Sequence, residues 1–205
     1  LGVGQTVHSE VPSIDVSNLT GIRGGRMLFR GLSFRVEPGR ALSLEGANGA
    51  GKTSLLRMLA GFLAPADGAI RFGDVADGEE RGKFVGWLGH HDAVKSQMSV
   101  RENLNFSAHL YGSDIGDALD ALGLARLSEL PGQYLSAGQR KRVALARLKL
   151  TKRPLWLMDE PLASLDAAGK KIAADLVTSH CASGGIAVIA THEPLGIDCG
   201  RLVLT

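Results

Sequence analysis

The sequence predicts an α/β fold: a mainly parallel sheet with helices on both faces. Three observations predict it. Ala41–Leu44, Leu155–Met158 and Ile186–Ala190 are short, largely apolar runs, the last apolar at every position, as in strands buried on both faces. Segments with apolar residues at helical spacing alternate with them. The first of these runs opens straight into a glycine-rich loop, Gly46 to Thr53, that a helical pattern follows.

Taken in order, residues 1–12 read as a loose lead-in. Ile14-Asp15-Val16 and Met27-Leu28-Phe29 flank Arg23-Gly24-Gly25-Arg26, whose glycines take positive φ at little cost, so a hairpin is expected. Leu32–Val36 alternates apolar and polar residues as a half-buried strand, and Glu37-Pro38-Gly39 is a turn. After the glycine-rich loop, Ser54–Ala60 is a helix with Leu55, Leu56 and Leu59 inward and Gly61 as its stop. Gly68–Gly73 and Phe84–Leu88 are strand candidates.

Ser99-Val100-Arg101-Glu102 has the spacing of a capping box, and the helix it opens aligns Val100, Leu104, Ala108 and Tyr111 on one stripe. Leu119, Leu122 and Leu124 imply a second helix and Gly138–Leu150 a third, whose Arg and Lys residues are read as one solvated face. Asp166–Cys181 is helical, and Leu202-Val203-Leu204 is a last strand. The stretch from about 90 to 150 is mostly helical and interrupts the strand series, as an inserted subdomain does.

The 205 residues suit one domain, with 44% hydrophobic and 21% charged residues. A net charge of +2 gives no argument for a nucleic-acid partner. Cys181 and Cys199 match no metal or redox spacing and are read as reduced, buried thiols. No apolar run reaches membrane-spanning length, and no basic stretch precedes an apolar core as in a signal peptide.

Gly46-Ala47-Asn48-Gly49-Ala50-Gly51-Lys52-Thr53 matches G-x-x-x-x-G-K-T, a phosphate-binding loop. Its glycines let backbone N–H groups converge on the β- and γ-phosphates. The next helix adds about half a positive charge at its N-terminus. Lys52 supplies a mobile cation to the same oxygens, Thr53 Oγ1 is placed for Mg²⁺, and Ser54 continues the turn. The strand at Leu155–Met158 delivers Asp159 and Glu160 together. Asp159 is assigned to Mg²⁺ through its water shell and Glu160 to the attacking water. General-base assistance of that kind is worth roughly 10²–10⁴-fold.

Leu135-Ser136-Ala137-Gly138-Gln139 resembles the LSGGQ signature of ATP-binding cassette (ABC) ATPases, with Ala137 where the family has its first glycine. The resemblance covers nearly the whole chain. It implies a P-loop NTPase with a RecA-like core over 13–89 and 151–205, an N-terminal antiparallel β portion and a helical subdomain over about 90–150, all one domain spanning 1–205. ATP and Mg²⁺ are the implied cofactors. Ser136, Gly138 and Gln139 would close on the γ-phosphate held by a second copy, so a head-to-tail homodimer with ATP at the interface is implied. Ser136 also suits a helix N-cap. Thr191-His192 resembles the switch histidine that touches the γ-phosphate and helps hold water and Glu160. Ser164-Leu165-Asp166 resembles the D-loop that crosses the dimer; Asp166 equally suits a helix N-cap.

Two departures narrow the family. Where an aromatic ring usually stacks on adenine, this chain has Arg23 in the hairpin. A guanidinium on a purine face is worth ~0.5–2 kcal/mol; a solvated turn arginine is the other reading. Where a glutamine usually contacts Mg²⁺ and water, the chain reads Gly89-His90-His91-Asp92, with His90 the better match and His91 the alternative. A paired-histidine metal site is a third reading. With Lys95, Ser99–Leu104, the Leu28-Phe29 pair and the short length, this resembles the ATPase branch of cytochrome c maturation (haem exporter) transporters. That branch implies a membrane permease of the CcmB type, other cytochrome c maturation proteins including a periplasmic haem chaperone, and the cytoplasmic face of the bacterial inner membrane. An ATPase subunit of another small exporter is the alternative. A soluble regulator of DNA or ribosomes lacks the expected coiled-coil insert or second cassette. A cassette that only binds conflicts with the presence of Lys52, Glu160 and His192.

Overall fold

A computed structural model describes residues 11–205; most of the expected lead-in over 1–12 lies outside them. The N-terminal hairpin is β1 (Ile14–Arg23) and β2 (Arg26–Val36), with Arg23 opposite Arg26. The expected separate strand at Leu32–Val36 is the second half of β2, which continues through Gly31 at φ 67°. Next come β3 (Ala41–Glu45), α1 (Lys52–Leu59), β4 (Asp67–Phe72), α2 (Gly78–Gly82) and β5 (Val85–Leu88). Then follow α3 (Val100–Tyr111), α4 (Gly116–Ala121), α5 (Ala137–Leu150), β6 (Leu155–Asp159), α6 (Ala167–Ala182), β7 (Ile186–Ala190) and β8 (Gly200–Val203).

Two sheets result. β2-β1-β4 is antiparallel, and β5-β6-β7-β3-β8 is parallel throughout. The period of two along a strand divides the parallel sheet's side chains between two cores. Leu155, Leu157, Ile186, Val188, Leu42 and Leu44 point toward α1 and the antiparallel sheet. Trp156, Met158, Ala187 and Ile189 point the other way, toward residues of α3 to α6. Each fully buried leucine stabilises by roughly 1.5–3 kcal/mol, so strands apolar at every position are held on both faces.

Several expectations are corrected. On α3, Val100, Leu104 and Ala108 are buried but Tyr111 is 39% exposed, because the helix ends at Gly112 before its last turn packs. Leu122 and Leu124 are fully buried although α4 stops at Ala121; they fold back through Gly123 at φ 60°. The cations of α5 do not share one solvated face. Lys141 is buried, Arg142 donates to the carbonyls of Leu122 and Gly123, and Arg147 donates to those of Asp92 and Ala93. Both cysteines are free but only partly buried.

Helix α2 was not expected. It positions Arg81, 4% exposed, whose guanidinium donates to the carbonyls of Met58, Leu59, Ile70 and Ala76. A buried charge needs such compensation. Arg81 thereby ties the end of α1 to β4.

Candidate functional site

Strands β3, β5, β6 and β7 lie side by side in one parallel sheet, so the segments after their C-terminal ends meet on one edge, the usual ligand edge of an open α/β sheet. These segments are the glycine-rich loop, Gly89–Asp92, Glu160 and Thr191-His192.

In the loop, Gly46, Gly49 and Gly51 take φ of 140°, 84° and 103°. A Cβ on Gly46 would lie 2.4 Å from the Leu204 carbonyl oxygen, so this turn admits only glycine. Helix α1 begins at Lys52 with no side-chain cap and no acidic residue in its first turn. Its first N–H groups are therefore free for an anion. Lys52 Nζ donates to the Gly46 carbonyl at 2.7 Å and the Ala47 carbonyl at 3.2 Å, folding the ammonium over the loop.

The base of the hollow is acidic. Asp159, 5% exposed, accepts from Thr53 Oγ1 at 2.9 Å through Oδ2. This buried carboxylate and the hydroxyl beside it form an oxygen-rich set that fits a hard divalent cation. Glu160 is left-handed at φ 52°, with its N–H donating to the Ala190 carbonyl at 2.9 Å. Left-handed backbone costs roughly 1–2 kcal/mol for a residue with a Cβ. Here it turns the Glu160 carboxylate off the strand axis toward His192, whose Nε2 is 3.4 Å from Oε1. The same Nε2 is 3.2 Å from Lys52 Nζ. One imidazole nitrogen accepts from the ammonium or donates to the carboxylate, so the ring's tautomer selects its partner. The turn is fixed by buried Thr191, whose Oγ1 both accepts from and donates to the Glu193 backbone at 3.0 Å.

These groups line a hollow of about 1160 Å³ with Asn48, Gly49, Gly51, Ser54, Arg23, His90 and His91. Gly46 and Ala50 shape the loop without lining the hollow. Arg23 reaches it from the hairpin tip. The hairpin also braces the loop: Phe29, 8% exposed, packs where a Cβ on Gly51 would lie 3.2 Å from its ring. His90 and His91 are both exposed, with ring centroids 5.6 Å apart. Among the described residues, no group of three or more His, Cys, Asp or Glu is placed to hold a metal, so nothing adds a third such ligand to the paired histidines.

Ser136, Gly138, Gln139 and Asp166 do not line this hollow. Ser136 Oγ accepts from the Gln139 N–H at 3.1 Å, and Gln139 Oε1 accepts from the Ser136 N–H at 2.8 Å, a full capping box. Ser136 is exposed, and its hydroxyl proton stays available to an external acceptor. A Cβ on Gly138 would lie 2.8 Å from the Ser164 carbonyl oxygen, whereas Ala137 is exposed. The contact ties the signature loop to the segment ending at Asp166, which caps α6 by accepting from the Gly169 N–H at 2.7 Å.

Sequence reasoning missed Lys141, Arg147 and Asp92, which join α5 to the segment after β5. Lys141 Nζ lies 2.7 Å from Asp92 Oδ1. The only signal was a cation at a helix position whose neighbours, Val143 to Ala146, are all apolar.

The family described as ABC transporter matches residues 29–163. The chain is 49% identical over 179 residues to the cytochrome c biogenesis ATP-binding export protein CcmA of Rhodopseudomonas palustris (strain BisB5), covering 86% of this chain and 90% of that protein. It is 46% identical over 195 residues to the protein of the same name in Paramagnetospirillum magneticum, covering 90% of each. Among solved structures, a putative ABC transporter ATP-binding protein from Pyrococcus furiosus superposes with a TM-score of 0.83 at 25% identity, over 94% of this chain and 97% of that one. A dimeric ATP-binding cassette in a post-hydrolysis state with ADP and phosphate superposes with a TM-score of 0.76 at 20% identity, over 88% of each, a likeness of fold.

Proposed function

This chain belongs to the ABC transporter ATP-binding subunits, in the family of the cytochrome c biogenesis ATP-binding export proteins, and on that premise we propose that its ATP hydrolysis drives a haem-related export step of c-type cytochrome biogenesis through a separate membrane subunit of the CcmB type. The observation that carries the catalytic part is the meeting of three pairs on one sheet edge: Lys52 on its loop carbonyls, Thr53 on Asp159, and His192 on Glu160.

On this reading, phosphate oxygens replace the Gly46 and Ala47 carbonyls as partners of the Lys52 ammonium. The free N–H groups at the start of α1 hold the β- and γ-phosphates. Thr53 and Asp159 would hold Mg²⁺, which supplies charge neutralisation at the phosphates when bound. Glu160 orients a water and takes its proton as the water oxygen bonds to the γ-phosphorus and the bond to the ADP oxygen breaks. His192, hydrogen-bonded to the γ-phosphate, keeps Glu160 aimed. His90, or His91 in its place, stands where the family glutamine contacts the water. Arg23 covers the base.

The signature residues Ser136, Gly138 and Gln139 serve the nucleotide of a second, head-to-tail copy; their position outside the chain's own hollow supports this. Residues 90–150 act as the moving helical subdomain. The hollow continues into an apolar groove where Phe62 and Trp87 pack edge to face at 5.3 Å and Phe106 and Leu110 are 55% and 64% exposed. A cytoplasmic segment of the membrane subunit fits there. No described helix is long and apolar enough to cross a membrane; on this reading the membrane subunit supplies the span and the chain docks on it at the cytoplasmic face of the inner membrane.

Lys52→Ala tests both levels. Purified protein is expected to lose ATP turnover, and cells carrying only the variant are expected to lose covalently bound c-type haem. Unchanged turnover would remove the mechanism; lost turnover with normal c-type cytochromes would remove the biological assignment alone.

A further inference from the structure

The segment after β5 is held by the helix that carries the signature. Lys141 of α5 has a side chain only 5% exposed, and its one carboxylate neighbour among the described residues, Asp92 at 21%, lies 2.7 Å away, off the axis of an aligned hydrogen bond. Farther along α5, Arg147 donates to the Asp92 carbonyl at 3.1 Å and the Ala93 carbonyl at 2.7 Å. Ala93 itself is left-handed at φ 50°. Such backbone persists only where its surroundings over-determine it.

Stability alone does not account for the pair. A buried ion pair is commonly matched or exceeded in stability by apolar residues of similar volume, and the turn of α5 after Lys141 buries Val143, Ala144 and Leu145. Its placement is informative instead. Asp92 follows His90 and His91 directly, and those line the chain's own hollow. Lys141 follows Gln139 closely, and the signature lies outside that hollow.

We propose that the Lys141–Asp92 pair is a strut that couples the two nucleotide sites of the dimer. Occupancy of a chain's own hollow, felt at His90 or His91, passes through Asp92 and Lys141 to the signature loop, which closes on the nucleotide of the other copy. Asp92 itself lines the hollow and Lys141 does not; both are positioning residues, argued to act through the segments they hold. The proposal rests on the head-to-tail reading above.

The test is ATP turnover against ATP concentration, with melting curves, for the parent chain, K141M, D92N and K141M/D92N. Two coupled sites permit a Hill coefficient up to about 2. The parent is expected above one. K141M is expected to melt lower, because Asp92 loses its cation. The double variant is expected to recover the melting temperature while its Hill coefficient stays near one, an outcome that a merely structural role would not give. A double variant that recovers both overturns the proposal, and so does a parent with a coefficient of one. If the double variant does not recover its melting temperature, D92N decides, since it keeps an acceptor beside the ammonium; parental cooperativity in D92N overturns the strut. Lys52→Ala that still turned over ATP would instead sink the underlying site reading.

Discussion

Gly138→Ala and Ala137→Gly swap the same methyl group between adjacent positions of the signature loop, with unequal losses of activity expected. A Cβ at 138 would lie 2.8 Å from the Ser164 carbonyl oxygen, which is backbone and cannot rotate away. Ordinary close C···O approaches are about 3.3–3.6 Å, so one segment must yield by roughly 0.5–0.8 Å. Overpacking of this kind costs about 1–3 kcal/mol. Replacing a helical glycine returns up to about 1 kcal/mol of propensity. The net loss is therefore on the order of 1 kcal/mol, a drop in melting temperature of about 2–4 °C. Ala137 is exposed at the first position of α5, so Ala137→Gly loses only propensity and melts lower by a similar or smaller amount. Catalysis separates the two. Displacing the Ser136 to Gln139 loop, or Ser164 and with it Asp166, moves groups assigned to the γ-phosphate and the dimer, and a 1 Å misplacement can cost about 10²-fold. Steady-state ATP turnover of the two purified variants, beside their melting curves, is the assay. Gly138→Ala is expected to lose at least ten-fold and Ala137→Gly less than three-fold, on the scale of that estimate. Equal turnover in the two variants would refute the reasoning.

Glu160→Gln keeps the shape of the carboxylate and removes its basicity, so ATP is expected to hold the variant as a dimer on sizing; a monomer at saturating ATP counts against the shared site. His90→Ala/His91→Ala together are expected to lower turnover by more than ten-fold, within the usual range for acid–base assistance, with ATP binding retained. The single variants then assign the role, and a fully active double variant would remove it from both. His180 stacks on Trp156 with ring centroids 3.8 Å apart, and burial pushes its pKa below the usual value near 6.5. The unfolded chain then binds the proton first, so stability is complete above about pH 6.5 and falls as pH drops toward the folded pKa. Urea unfolding of His180→Gln at pH 5 to 7 is expected to show a shallower slope than the parent, and an identical slope would contradict the burial argument.

Local rules carried much of the fold. The capping box at Ser99, the helix caps at Ser136 and Asp166 and the glycine-rich turn into α1 all depend on neighbours within a few residues, and all form. The apolar runs became the central strands because both faces of a parallel sheet are covered. Long-range compensation was not legible. Arg81 gave no sign that it would be buried against four carbonyls contributed by three other segments. The cations of α5 were read as one face, yet Lys141 turns inward to Asp92 and Arg142 and Arg147 turn to loop carbonyls. Helical spacing puts Tyr111 on the Val100, Leu104 and Ala108 stripe, but it is the last residue of α3, half-exposed with the Arg153 guanidinium over its ring. At the site, sequence order brought out the residue types. The sharing of His192 Nε2 between Lys52 and Glu160 needed the tertiary structure.

The central claim is that each signature loop completes the site of another copy. Mixing two inactive variants tests it most directly: Lys52→Ala, which loses its own phosphate loop but keeps its signature, and Ser136→Ala/Gly138→Ala, which keeps its phosphate loop but loses its signature. In a mixed dimer the second chain's phosphate loop faces the first chain's intact signature, so one whole site re-forms. ATP turnover in the mixture is expected to be well above that of either variant alone at equal total protein. A mixture no more active than its components would contradict it.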